Sequence, residues 1–403
     1  MRITNLMMSQ QFLYNLNQIQ ENLSTNQEQM STGKVLNKPS DDPLAVSEDM
    51  ATRTAISQAN SYESTIQSGL TWMKSTDSAM QSMSSTLQSI RDLTLQAMNT
   101  PSQTPTAKAG VQQSIAQLIN NLYQLVNTKQ GNSFLFGGGA IDKEVSQYIA
   151  PTQLNTNVIG ASTTTPVIAN GGTLSVIGSQ GTAEVSIASG ATLQNVEDAI
   201  NAVSDQTGVT ASLSSVPSGS QLVLQPQQQG TVFGMSNSNV TLTSGGAMAV
   251  SSAQTNPAPA GASDNREYAV SASVAERVNV TGSNIFNQVP SSGGTADLHS
   301  TLQSILNDIN DPSALGNDLS NLDANSAQLI ETDTDLGSRI EQMTNLQNQT
   351  NSFVSNMQKQ QASLEDANMA QVVTQYQNQM ATYQAALQMG SKMLLPTLAE
   401  YIQ

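Results

Sequence analysis

The chain has 403 residues, of which 37% are hydrophobic, 4% aromatic and 11% charged, with a formal net charge of −16. That apolar share lies below the ~45–50% of an ordinary globular domain, so slim units that bury surface against one another suit it better than one large core. The acidic balance argues against nucleic acid and anionic membrane as partners, and the absence of cysteine excludes disulfides, thiolate metal sites and thiol nucleophiles.

Residues 1–36 read as one helix. Phe12, Leu16, Ile19, Leu23 and Met30 fall on the a and d positions of a heptad, and polar Asn26 interrupts the seam. The opening MRITNLMMSQQF has no continuous apolar core, so it does not read as a secretory signal. No apolar run approaches the ~18 residues of a membrane span. Pro39 and Pro43 break the helix, and Asp42 before Pro43 makes a good start for a second one: a carboxylate cap, then a residue whose missing N–H costs nothing there. Met50, Ile56, Ile66, Leu70, Met73, Met80, Met83, Leu87, Ile90 and Leu93 carry that helix to Asn99, a length that implies a bundle or coiled coil. Pro101 and Pro105 end it. A third helix spans 106–129 on Val111, Ile115, Leu118, Ile119, Leu122 and Leu125, with Gly131 as its closing residue.

From Gly137 the composition shifts to Gly, Ser, Thr and Val. Residues 174–177, 183–187, 209–213, 221–224 and 240–242 read as strands. One amphipathic helix interrupts them, with Thr192 as N-cap and Leu193, Val196, Ile200 and Val203 on one face. Residues 251–263, with Pro257 and Pro259, read as a return linker, and 267–280 as a hairpin arm. Helical periodicity resumes near Ala296, breaks at Asp311-Pro312 and runs to the end. In the last stretch Leu364, Val372, Tyr376, Met380, Tyr383 and Leu387 share one face, and Leu394, Leu395 and Leu398 extend the apolar end.

The fold class that follows is α+β: a long discontinuous helical bundle or coiled coil built from both end regions, with an inserted β-rich domain. The expected divisions are residues 1–36, 37–149, 150–262 for the insertion, 263–362 and 363–403. The two terminal stripes, Phe12, Leu16, Ile19, Leu23 and Met30 with Leu364 to Leu398, are the candidate assembly interface. Narrow Gln/Asn-rich stripes bury too little surface to offset the entropy of ordering long isolated helices, so copies of the chain are expected to complete them.

Several stretches carry a resemblance. Gln29-Met30-Ser31-Thr32-Gly33-Lys34-Val35-Leu36, followed by Pro39-Ser40-Asp41-Asp42-Pro43, resembles the N-terminal signature of the flagellin-like family of flagellar axial proteins. Phe134-Leu135-Phe136-Gly137 resembles the close of that family's N-terminal helical block, and Val280 to Phe286 the reopening of its C-terminal block. Ser363-Leu364-Glu365-Asp366-Ala367-Asn368 resembles the start of its C-terminal helix, and 172–224 its IN module. Pro43 after the two aspartates, and the ending Glu400-Tyr401-Ile402, are similar to the hook-associated proteins of the hook–filament junction. The resemblance implies a structural adaptor in the extracellular flagellum. Its subunits would form a ring through their terminal helices. The other hook-associated junction protein would lie on the hook side and flagellin on the filament side. It also implies export through the flagellar type III apparatus without a cleaved signal, aided by a cytoplasmic chaperone at the C-terminal region, and no cofactor. A bulk filament subunit, or a glycan-binding β insertion using Phe233, are the alternative readings.

Signals for chemistry are few. His299 is the single histidine, which rules out the paired-histidine zinc motif, and its place near a helix start suits a surface or capping role. Asp333-Thr334-Asp335-Leu336-Gly337 lacks the twelfth-position Glu of a calcium loop and reads as a solvated helical turn. Gly137-Gly138-Gly139 has no following Lys-Ser/Thr, so it reads as a flexible joint rather than a phosphate loop. Trp72 reads as core or inter-subunit packing.

Overall fold

The structure is a computed structural model. It describes residues 5–99, 105–156, 166–216, 219–231, 233–238, 240–242, 248, 250–255, 258–291 and 293–394. In chain order the helices are α1 (Asn5–Thr32), α2 (Pro43–Asn99), α3 (Pro105–Val126), α4 (Ser146–Ile149), α5 (Leu193–Asn201), α6 (Ser204–Thr207), α7 (Gly282–Phe286), α8 (Leu298–Asn307), α9 (Pro312–Glu365) and α10 (Met369–Leu394). The strands are β1 (Lys129–Gln130), β2 (Ser133–Phe134), β3 (Pro151–Thr156), β4 (Ile168–Asn170), β5 (Gly172–Ile177), β6 (Thr182–Ile187), β7 (Val209–Val216), β8 (Gly219–Pro226), β9 (Gly234–Ser238), β10 (Thr241–Leu242), β11 (Val250–Thr255), β12 (Glu267–Ala269) and β13 (Ala275–Arg277). This is the α+β architecture read from the sequence. The chain divides into two compact units, residues 1–64 with 347–403, and residues 65–346; the divisions fall inside α2 and α9.

In the first unit, α1 packs against α10, and the start of α2 lies beside the end of α9. Asp42 caps α2 as expected, its carboxylate accepting from the backbone N–H of Leu44 (3.0 Å) and Ala45 (3.1 Å). The C-terminal helical run is not continuous. α9 stops at Glu365, and after residues 366–368 α10 begins under an Asn368 cap that accepts from Gln371 N–H (3.3 Å).

The second unit has two apolar clusters. One gathers Ile66, Met73, Met80, Met83, Leu87 and Ile90 of α2 with residues of α3, α8 and α9. Trp72 is buried there, under the Arg266 guanidinium at 4.4 Å. Arg91 ties α2 to α9 through Asp323, with contacts of 2.6 and 3.2 Å. The β12–β13 hairpin matches the arm expected over 267–280. The other cluster lies within the insertion, where a sheet of order β11-β3-β8-β7 and a sheet of order β6-β5-β9 bury Leu174, Val185, Leu222 and Leu224 with Leu193, Val196 and Ile200 of α5. Thr192 caps α5 through a reciprocal box with Asn195, because each side chain satisfies a backbone N–H that the first turn leaves free.

Three local expectations are corrected here. Residues 251–255 are not linker: they belong to β11, which pairs antiparallel with β3, because the strand that opens the insertion needs a partner for its outer edge. Gly131 does not close α3; at φ +61 it sits between β1 and β2, in a turn that demands a left-handed residue. The three glycines 137–139 are no flexible joint. Gly139 N–H donates to Gly261 O at 2.7 Å, and a Cβ at Gly138 would fall 2.4 Å from Ala262 O.

Candidate assembly interface

α1 turns one face toward α10. Phe12, Leu16, Ile19, Leu23 and Met30 are all half-buried and Asn26 is buried, so the heptad read from the sequence is the contact seam. The answering face of α10 is Val372, Tyr376, Gln379, Tyr383, Ala386 and Gly390, again at alternating spacings of four and three. Val372 and Gly390 are buried, and the rest are half-buried. The helices are antiparallel: Asn26 Nδ2 donates to Gln379 Oε1 at 2.7 Å near the base, and Phe12 meets Gly390 at the other end. A Cβ at Gly390 would come 2.7 Å from the Phe12 ring, so a glycine there lets the ring into the seam.

The stripe expected on α10 drifts off this seam. Met380 is half-buried beside Gln379, but Leu387 is 47% exposed. Successive helical residues turn by about 100°, so Leu387 stands one step round from Ala386. An apolar-only reading selects Met380 and Leu387; the 3.5-residue seam selects Gln379, Ala386 and Gly390, which carry no hydrophobic signal. The Asn26–Gln379 pair shows how Gln379 could have been found: a polar seam residue on one helix calls for a partner on the other. Leu364 is half-buried at the end of α9, before the chain break, so it does not share a helix with Val372. Leu394 ends α10; Leu395 and Leu398 lie outside the described residues.

The outer faces of the pair are unusual in chemistry. From Met369 to Ser391 there is no charged residue, and α1 carries only Glu21 and Glu28. Asn, Gln, Ser and Thr fill the exposed positions. Exposed apolar side chains gather where the start of α1 meets the end of α10: Met7 (62%), Leu13 (53%), Tyr14 (64%), Leu387 and Met389 (64%). Surfaces meant for bulk water usually mix charges of both signs.

The other sequence candidates lie in the second unit. His299 is buried in α8, not at the surface; its Nδ1 lies 3.4 Å from the Tyr123 hydroxyl, and burial lowers its pKa despite the nearby Asp297 carboxylate. Asp297 itself is the cap, accepting from Ser300 N–H at 2.7 Å. Asp333 to Gly337 lie within α9, where Asp335 pairs with Arg339. Among the described residues no group of three or more His, Cys, Asp or Glu is placed to hold a metal ion, and no helix is long and apolar enough to cross a membrane.

α1 and α10 thus form an antiparallel heptad coil, and the β-rich insertion lies between them in the sequence. Residues 3–139 match the bacterial flagellin N-terminal helical region, and residues 173–225 match the flagellin hook IN motif, so these two stretches are flagellin-like in sequence. A flagellin from Clostridium tyrobutyricum is 30% identical over 201 residues, covering 47% of this chain and 52% of that one, so the chain spans about half the length of that curated relative. Among solved structures, a flagellar hook-associated protein from Vibrio parahaemolyticus aligns with 81% of this chain and all of its own, at 16% identity and a TM-score of 0.47. Bacillus cereus FlgL aligns with 79% of this chain and 99% of its own, at 13% identity and a TM-score of 0.38.

Proposed function

We propose that this protein is the adaptor that joins the flagellar hook to the filament, and that copies of it assemble through the outer faces of the α1–α10 coil. The observation that carries this reading is that coil: it joins the two ends of a flagellin-like chain, yet its outside is nearly free of charge and its far end exposes Met7, Leu13, Tyr14, Leu387 and Met389. Such a surface is completed by neighbours rather than by water. The junction role rests on Pro43 after Asp41-Asp42, read from the sequence. Its partners in this reading are its own copies, a second hook-associated protein, flagellin and an export chaperone. The protein acts by shape and contact and catalyses nothing. The likeness to a curated flagellin favours a second reading, a bulk filament subunit.

Leu387→Asp tests the assembly surface. Leu387 is half in water in the single chain, so the melting temperature of the monomer should change little. In an assembled contact the same carboxylate would be buried without a partner, at a cost of several kcal/mol. The expected strain builds hooks, secretes filament protein into the medium and grows no filament. Normal filaments from it would remove the assembly role. Deleting the gene while hooks persist and filament protein is still made separates an adaptor from a filament subunit.

A further inference from the structure

The helical path is broken twice in the first unit, at residues 33–42 and at 366–368, and the two breaks lie side by side. Gly33 ends α1 in the left-handed region at φ +73. The next residues pair with the second break: Val35 N–H donates to Glu365 O at 2.6 Å and Ala367 N–H to Gly33 O at 2.9 Å, forming an antiparallel bridge between Lys34 and Asp366. Two backbone hydrogen bonds make a short hinge by themselves. What surrounds them is a charge knot centred on the Glu365 side chain, which is only 5% exposed.

That carboxylate collects donors from three segments. Lys34 Nζ reaches it from the first break at 2.6 Å, Arg53 from α2, and Gln361 Nε2 from α9 at 3.1 Å. Asp49, one turn before Arg53, holds the guanidinium Nε at 2.8 Å and so aims it. Nearby, Gln360 donates to Glu48 at 3.0 Å, a second tie between the same two helices. Glu365 is thus used twice, its carbonyl by the first break and its carboxylate by α2, α9 and Lys34. We propose that Glu365 is the positioning residue that makes the two breaks a single joint, so that α1 and α10 are carried as one coil on the ends of α2 and α9. Without it, Lys34 and Arg53 are left as facing cations with no shared anion, and the bridge must hold the coil alone.

The inference concerns the free chain and does not depend on the assembly reading. Its test uses the absence of cysteine in the chain. Lys34 and Asp366 form a bridge pair flanked by its hydrogen bonds, a geometry with Cα atoms about 4.5 Å apart, which a disulfide can span. In Glu365→Ala, amide exchange in α1 and α10 should rise about tenfold, the population change that ~1.4 kcal/mol produces. Exchange in α3 and α8 and the fluorescence of Trp72 should not move, which shows that the rest of the chain is folded. Adding Lys34→Cys and Asp366→Cys to that variant should restore protection of both helices when oxidised and lose it on reduction. Unchanged exchange in Glu365→Ala, or an oxidised crosslink that protects neither helix, would overturn the proposal.

Discussion

The α1–α10 coil and the helical core of residues 65–346 are built from the same helical periodicity, but they finish differently. In the core, Ile66, Met73, Met80, Met83, Leu87 and Ile90 are fully buried, because α3, α8 and α9 surround that face of α2. In the coil only one partner covers each seam, and Phe12, Leu16, Ile19, Leu23, Tyr376 and Tyr383 stay half-exposed. One seam position is an Asn–Gln pair and another a glycine. The core is therefore specified by volume, since close packing penalises any lost methylene. The coil is specified by register, through one amide pair and one knob that fits only over Gly390. A structure that is to gain neighbours can leave its hydrophobic stripe incomplete.

The sharpest way to break this contrast is a matched pair of truncations. Phe286 is fully buried and packs on Tyr123 with ring centroids 5.8 Å apart, so Phe286→Ala should cost about 3–5 kcal/mol in denaturant unfolding followed by Trp72 fluorescence. Leu16→Ala should cost about 1 kcal/mol or less, followed by helical circular dichroism, because its side chain is already half in water. Equal costs would mean the coil is packed as tightly as the core.

A second contrast is electrostatic. The core buries a carboxylate, Asp318, where burial and then the Asp308 carboxylate push its pKa up to about 7 from an ordinary 3.8. A folded-state pKa above the unfolded one gives a contribution fully present below 3.8 and lost as pH rises through 7. Asp318→Asn should therefore gain steadily on the parent between about pH 4 and 7, and the difference should stay flat above that window. In the coil's base, Glu365 runs the other way. Burial opposes its charge, but hydrogen bonds from Lys34, Arg53 and Gln361 prevail and hold its pKa at about 2, so its contribution is lost only as the pH falls toward that value. A pH titration of Asp318→Asn that tracks the parent would show that the buried carboxylate is solvated.

The smallest expected effect lies on the seam. Replacing Asn26 and Gln379 together by Leu removes a buried amide pair without leaving either half unpaired. The coil should gain about 1 kcal/mol or less, while its register loosens. Spin labels on the outer faces of α1 and α10 would report a broadened distance distribution. A distribution as narrow as the parent's would place register control at the Phe12–Gly390 contact instead.

Much of this was legible in the chain itself. The Asp42 cap, the extent of α2 to Asn99, the Thr192 cap of α5, the hairpin arm and the heptad of α1 all follow from signals that act within a few residues: a side chain that reaches an adjacent N–H, a stripe that repeats each turn. Other features were decided by partners far off in sequence. Residues 250–255 became a strand because β3 had an open edge. Gln112, Gln303 and Asn307 fasten the insertion to the helices, through Ser175 Oγ, Phe233 O and Met235 N–H, and no local pattern marks them. Gln379, Ala386 and Gly390 joined the seam because Asn26, Leu16 and Phe12 of α1 set its spacing, and His299 was buried because Tyr123 stood opposite. Periodicity tells which face of a helix is apolar; only the packed neighbour decides which polar or small residues that face will also enclose.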